Sequence, residues 1–522
     1  MKNTKKLFAL LLVVVMMLAL GTTALAADTN VELTVPSDSR AYAIYQIFTG
    51  DLATEDGKDI LSNVKWGADA KLPTGANVGD AVPAETLKAI AAITGTSDAD
   101  ILAELDDYYD LTGEAFATVT KDATDRVVSV PTGYYLIKDL GPAPAGSEIS
   151  QYVVQVVGPT TITPKTGTTT TEKKVDDKND STGAEDEIVW QDSADHDIGD
   201  AVSFQLTATI TEKYAEYDHY YFAFHDKQSS GLTFNADSVK VFVGTTEIKN
   251  TQDKTYYTVK TSGLSNNETF VIEFMDLKAI DAVAAGSVIT ATYTSTLNDG
   301  AVIGAAGNPN TMYGEFSNNP NNTGDGTRKP NDTTTTPEDK VIVFTYELDG
   351  TKYANEAAEG NELKGAGFTL YKWVNSADKD GKDTSDWVAI GSEIKSDEDG
   401  ALSWAGLDDG KYKLEETDTP LGFNTMADIV FTVAAEHDVE ADDPALTKLT
   451  VTPSDSFTVV MTSEDDDATP TGKISTDLVN MKGATLPETG GIGTTIFYVL
   501  GGILLVGAAV LLITKKRMGA ED

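Results

Sequence analysis

The chain has 522 residues, with 82 acidic against 39 basic side chains and a formal net charge of -43. A field of that sign repels nucleic acid and anionic lipid and suits a solvated surface that resists self-association. There is no cysteine. The four histidines, His196, His219, His225 and His437, fall in no metal-ligand spacing, and GxSxG, P-loop and GxGxxG motifs are missing, so neither a turnover enzyme nor a resident metal or cofactor is expected.

Residues 1–26 predict a signal peptide: Lys2, Lys5 and Lys6 precede an apolar run at 7–20, and Ala24-Leu25-Ala26 is a small-residue cleavage site. From 27 to 165, β-type runs at 31–35, 41–48, 134–137 and 152–157 alternate with Gly, Pro and Asp. Between them Leu87, Ile90, Ala91, Ile101, Leu102 and Leu105 recur near helical spacing. The expectation is a β-sandwich carrying one or two short helices. Residues 160–171 are rich in Thr, Pro and Gly and predict a linker. Alternating strands at 202–210, 220–224, 239–243, 256–259, 269–274 and 288–293 predict an immunoglobulin-like sandwich within 166–330. A further Asn/Gly/Pro/Thr-rich linker covers 319–336. Strands at 341–348, 368–373, 387–390, 412–415, 429–433 and 457–461 predict a third sandwich within 331–485. The fold class expected is all-β, three tandem sandwiches with a small helical insertion in the first.

The last segment, 486–522, opens on Leu486-Pro487-Glu488-Thr489-Gly490, runs apolar over 492–513 and closes on Lys515, Lys516 and Arg517. About 20 apolar residues at about 1.5 Å each cross a bilayer core of about 30 Å. The basic end stays cytoplasmic, which leaves nearly all of the chain outside. Motif, span and basic tail in that order resemble the LPxTG sorting signal of Gram-positive surface proteins. The resemblance implies that a sortase cuts between Thr489 and Gly490 and hands the threonine acyl group to an amine.

Several stretches are similar to the SpaA-type backbone pilins of Gram-positive bacteria. Ala43-Ile44-Tyr45-Gln46-Ile47-Phe48-Thr49-Gly50-Asp51 matches the family's "YQIFxGD", and Asn63-Val64-Lys65-Trp66-Gly67 follows it. Tyr412-Lys413-Leu414-Glu415-Glu416-Thr417, then Pro420 and Gly422-Phe423, matches the E-box YxLxETxxPxGY, with Phe423 in place of tyrosine. Ile162-Thr163-Pro164-Lys165 matches the "YPK" pilin motif, with threonine where tyrosine is usual. The resemblance implies CNA-B-like sandwiches and a covalent filament in which Lys165 of one subunit attacks the Thr489 acyl group of another. The partners implied are a class C pilin sortase, a housekeeping sortase, further copies of the chain, minor or tip pilins, peptidoglycan and host surface ligands. A donor near one end and an acceptor a third of the way along make a head-to-tail contact, which gives open filaments. The competing reading is a monomeric wall-anchored adhesin, which needs the LPETG motif but not Lys165.

The resemblance also implies intramolecular Lys–Asn isopeptide bonds promoted by a buried acid. Burial lowers a lysine pKa and raises that of a carboxyl, so a neutral amine can attack while a protonated acid donates to the Asn carbonyl. In the third sandwich the expected set is Lys352, Glu416 and Asn480. Glu415 is the rival acid, and Glu416 shares the face of Leu414 because strand neighbours point opposite ways. In the second the expected set is Lys173, Asp226 and Asn318, from Lys173-Lys174-Val175-Asp176-Asp177 and a "YSNNP"-like Phe316-Ser317-Asn318-Asn319-Pro320. Lys174 is the near-equal rival; Lys173 shares the face of Val175. No complete set is evident in the first domain. Asp378-Lys379-Asp380-Gly381-Lys382-Asp383 resembles half a calcium loop but lacks the later glutamate, so no metal is assigned.

Overall fold

In a computed structural model of the chain, the described residues run from 30 to 518, apart from 37–39, 56–57, 94–101, 103, 142–145, 150, 163–167, 183–187, 321, 377–382, 455–460, 464–469 and 484–491. The signal peptide and the Leu486, Pro487, Glu488, Thr489 and Gly490 motif therefore lie outside them, as does Lys165.

The amino-terminal sandwich is built on the long strand Ala41–Glu55, which pairs antiparallel with Lys58–Trp66, Ala117–Val119 and Gly133–Gly141. Alternation sends Tyr42 and Ile44 to one face and Ala43, Tyr45 and Ile47 to the other, and both faces are buried. Tyr42 and Ile44 meet Leu33 of the small sheet formed by Val127–Pro131, Asn30–Thr34 and Thr160–Thr161. The opposite face is covered by the insertion, where helix Ala84–Ala91 contributes Ile90, and Leu102 and Leu105 join the same core. The helical spacing noted in the sequence is thus a lid over a second core.

The middle sandwich packs two sheets. One runs Trp190–Gln191, Thr170–Asp176, Ala201–Thr209, Val288–Leu297, Leu232–Val243, Thr246–Ile248; the other includes Ser193–Asp195, Asp339–Phe344, Asn308–Ser317, Phe222–Gln228, Phe270–Phe274 and Thr258–Lys260. Val202, Phe204, Leu206 and Ala208 alternate inward against Phe222, Phe224, Phe270 and Ile272. Asp339–Phe344, expected in the third sandwich, is hydrogen-bonded here, antiparallel to Asn308–Ser317 and parallel to Ser193–Asp195. Thr333–Thr335, expected in a linker, also pairs with Asn308–Ser317.

The third sandwich begins at Tyr346–Ala354, one residue after that strand ends. Tyr346–Ala354 lies parallel to the last strand, Lys473–Asn480, with Ala354 opposite Asn480. Facing it is a sheet of Asp386–Lys395, Gly367–Val374, Gly410–Asp418, Ile429–His437 and Leu446–Pro453. Beyond the sandwiches comes helix Ile492–Met518, whose apolar stretch Thr495–Arg517 has a mean hydropathy of 2.7 and is long enough to cross a membrane.

Candidate functional site

Two buried polar clusters stand inside otherwise apolar cores. In the third sandwich Lys352, Asn480 and Glu416 come together from three strands. The parallel pairing of first and last strands sets Lys352 and Asn480 on one inner face, and alternation along Gly410–Asp418 turns Tyr412, Leu414 and Glu416 inward. Lys352 Nζ donates to Asn480 Oδ1 at 2.6 Å, and Asn480 Nδ2 donates to Glu416 Oε1 at 2.6 Å. Lys352 and Asn480 are completely buried, and Glu416 is nearly so. Burial pulls the Lys352 ammonium down to about 8, against the opposing pull of the Glu416 carboxylate. Glu415 faces out and takes a hydrogen bond from Lys413.

The sequence reading had the acid facing the Asn carbonyl. Here Glu416 stands beside the amide nitrogen, the leaving group of an attack by Lys352. A carboxyl there can accept a proton released by the amine and return it to the departing ammonia. The second Glu416 oxygen is held by the backbone N–H of Met426 at 2.7 Å, which fixes the carboxyl's plane.

In the middle sandwich Lys173 Nζ donates to Asp226 Oδ2 at 2.5 Å and to the Tyr293 hydroxyl at 2.8 Å. The Tyr293 hydroxyl donates to Asp226 Oδ2 at 2.9 Å and accepts from Asn310 Nδ2 at 2.9 Å. Burial drives the Lys173 pKa down, opposed by Asp226, and drives the Asp226 pKa up, opposed by Lys173. Phe204, Phe270 and Tyr293 form the aromatic wall of this pocket. The rival Lys174 points outward and pairs with Asp192 and Glu172.

Asn318 is not in this cluster. Asp226 lies opposite Met312, so a partner for Lys173 must come from within about two residues of it, and Asn310 does. Asn318 is six positions further along, about 20 Å at about 3.3 Å per residue. Instead its carbonyl accepts from Ile149 N at 2.7 Å, at the border of the amino-terminal sandwich. Tyr293 and Asn310 were both missed. The available signal for Asn310 was its inward parity with Asn308 and Met312 on Asn308–Ser317, three buried residues in alternation.

In the amino-terminal sandwich the deepest polar pair is Arg40 with Asp139, at 2.5 Å. The flanks of the Lys165 segment are anchored. Ile162 N donates to Thr34 O at 2.9 Å, and Thr169 Oγ1 shares a hydrogen bond with the Tyr220 hydroxyl at 2.9 Å.

Comparison with known proteins gives the same outline. Residues 350–444 match the SpaA family model, described as a prealbumin-like fold domain, and residues 479–518 match the LPXTG cell wall anchor motif. The trypsin-resistant surface T6 protein of Streptococcus pyogenes serotype M6 is 25% identical over 369 residues, a match spanning 61% of this chain and 65% of that protein. That is just under two thirds of the relative's length. Among solved structures, the T6 backbone pilin of serotype M6 Streptococcus pyogenes is covered completely by 88% of this chain, with a TM-score of 0.51 and 17% identity. The full-length major pilin SpaD of Corynebacterium diphtheriae is covered to 98% by 88% of this chain, with a TM-score of 0.45 and 16% identity. A SpaA-type domain and an LPXTG cell wall anchor motif followed by an apolar helix are thus present in this chain, and its fold is shared with a three-domain backbone pilin.

Proposed function

We propose that the chain is the shaft subunit of a covalent pilus, with Thr489 of one copy joined to Lys165 of the next. The observation that carries this reading is the LPXTG anchor motif near the end of the chain together with Lys165 in the Thr163-Pro164-Lys165 stretch, whose sequence flanks Ile162 and Thr169 are each hydrogen-bonded to a sandwich. A pilin sortase would hold the Thr489 acyl group as a thioester. The deprotonated Lys165 amine attacks the carbonyl, an amide forms, and the enzyme's thiolate leaves. A housekeeping sortase would transfer the finished polymer to peptidoglycan, and tip pilins would cap it. Host ligands are reached by the shaft rather than bound in a pocket of it. In this reading the chain is a substrate and not a turnover enzyme.

Inside each subunit, Lys352 attacks the Asn480 carboxamide with Glu416 as the proton carrier, and Lys173 attacks Asn310 with Asp226 in that role and Tyr293 bridging. Each reaction forms one amide and releases one ammonia. Closing loops of about 130 residues restricts the unfolded chain by about 4–5 kcal/mol each, by analogy with disulfides.

Wall extract boiled in SDS tests the polymer. The expected result is a high-mass ladder that disappears in Lys165→Ala. A single band near monomer mass in the wild type would reject the shaft reading and leave the monomeric adhesin.

A further inference from the structure

The border between the middle and third sandwiches carries two polar clusters, and they differ in one respect. In the first, Lys372 Nζ sits among carboxylates, 2.6 Å from Asp197 and 2.5 Å from Asp408, with Asp180 at 3.6 Å. Its ammonium supplies the positive charge. The second cluster brings together Asp177, Asp195 and His437, each offering one ligand atom within 4.8 Å of the others. Among the described residues no lysine or arginine pairs with either of these carboxylates.

Hydrogen bonding fixes the imidazole's tautomer. Ser193 Oγ donates its only proton to the carbonyl of Asp438. It must therefore accept from His437, whose Nδ1 is 2.7 Å away. The proton is on Nδ1, and Nε2 carries a bare lone pair. Nε2 faces Asp177 Oδ2 at 3.8 Å, two acceptors with no proton between them. That separation is too long for a hydrogen bond. It is near what two ligands of one ion show when each lies about 2.1 Å from the metal.

Asp195 is the independent sign. It is 2% exposed, and its Oδ2 atom makes no hydrogen bond of normal geometry, although the Tyr346 hydroxyl stands beside the carboxyl. Burying such an oxygen costs free energy unless something positive meets it. The remaining contacts look like outer supports of a metal site. Asp177 accepts from Gln191 Nε2 at 2.7 Å and from the backbone N–H of Asp195 at 3.2 Å, which orients its carboxylate. Asp177 follows the first strand of the middle sandwich, Asp195 ends Ser193–Asp195, and His437 ends Ile429–His437 of the third.

We infer that Asp177, Asp195 and His437 bind a first-row divalent transition metal of the Zn²⁺ type, which bolts the middle sandwich to the third. One imidazole nitrogen with two carboxylates favours such an ion over Ca²⁺, which takes oxygen ligands. A fourth position is left for water.

The test uses the purified full-length chain in detergent, stripped with chelator and titrated with ZnCl₂, with bound zinc counted by elemental analysis after gel filtration. One zinc per chain is expected, and Co²⁺ in its place should give the visible absorption of a low-coordinate nitrogen–oxygen site. His437→Gln and Asp177→Asn should each weaken binding at least tenfold; Asp177 is the more exposed ligand, so its variant keeps the fold. Asp180→Asn, in the lysine-compensated cluster, should bind as the wild type does. The inference is overturned if the wild type binds no zinc at micromolar concentration, if only Ca²⁺ binds, or if zinc persists unchanged in His437→Gln.

Discussion

Lys352 and Lys173 each sit at 0% exposure, where an ammonium without compensation is costly. Lys352 bonds an asparagine that in turn bonds a carboxylate, and Lys173 bonds a carboxylate and a tyrosine hydroxyl that in turn bonds Asn310, so conversion to a neutral amide would remove the buried charge altogether. The distinction between Asn310 and Asn318 is open to direct measurement. Intact mass of the full chain should rise by about 17 Da, one retained ammonia, beyond the substitution itself in Asn310→Ala and not in Asn318→Ala; the opposite pattern would restore the sequence-based choice. Glu416→Gln should likewise retain ammonia in the third sandwich and lower its stability by about 4–5 kcal/mol, read as an earlier urea midpoint in the tryptophan fluorescence that Trp373, Trp387 and Trp404 dominate. An unchanged midpoint would mean that the loop is not closed. The choice of Glu416 over Glu415 was legible because alternation is a local rule. The choice of Asn310 over Asn318 was not. Both lie on the inward parity, and only the register of Asn308–Ser317 against Phe222–Gln228 separates them. Tyr293 was hidden for the same reason, since nothing near it in sequence announces a pocket that four strands build.

Whole elements carry their own tests. Glu148 lies between the amino-terminal and middle sandwiches, accepting from Thr211 Oγ1 at 3.0 Å and from the Tyr220 hydroxyl at 3.3 Å. Burial raises its carboxyl from 4.5 to about 7, although those hydrogen bonds and Lys213 oppose the shift. The folded state thus holds this proton more tightly than the unfolded one. The stabilisation is complete below about 4.5, falls as pH rises to about 7, and is then lost, a change of roughly 3 kcal/mol. The Ile149 amide should exchange more slowly at pH 5 than at pH 8 once intrinsic rates are removed, and Glu148→Gln should flatten the difference. Equal protection at both values in the wild type would contradict this. At the next border, Gly304 and Gly472 cross backbone to backbone with φ of 87° and 75°. A Cβ on Gly472 would lie 2.4 Å from Gly304 Cα. Backbone cannot yield as a side chain does, so Gly472→Ala should cost about 1–3 kcal/mol and loosen amide protection at Ala305, whose N–H bonds Thr471 O; an unaltered protection pattern would show that the two sandwiches can part without cost. The alternating strand at 341–348 was visible in the sequence, but alternation reveals that a strand exists and not which sheet takes it. The strand was therefore assigned whole to the third sandwich, whereas Thr345 divides it between two.

At the scale of the molecule, the three sandwiches and the apolar end were legible, because periodicity and a long apolar run are coarse properties that survive without knowledge of contacts; the signal peptide expected at 1–26 lies outside the described residues. What decides mechanical behaviour is finer. The two proposed cross-links enclose 173–310 and 352–480, and the stretch between them belongs to neither loop. It contains Asp339–Phe344, which is held in the middle sandwich by hydrogen bonds to Asn308–Ser317 and Ser193–Asp195 and by the packing of Val341 and Val343, with no proposed cross-link across it. A filament pulled from both ends would leave its stapled loops folded and give way in this gap, like a seam sewn between two welds. About 40 residues at about 3.5 Å each would then pay out to a span of roughly 140 Å, less the distance they already bridge when folded. Recoil on release would follow once the strand found its place again, so such a shaft would absorb a sudden tug from flowing liquid and recover its length.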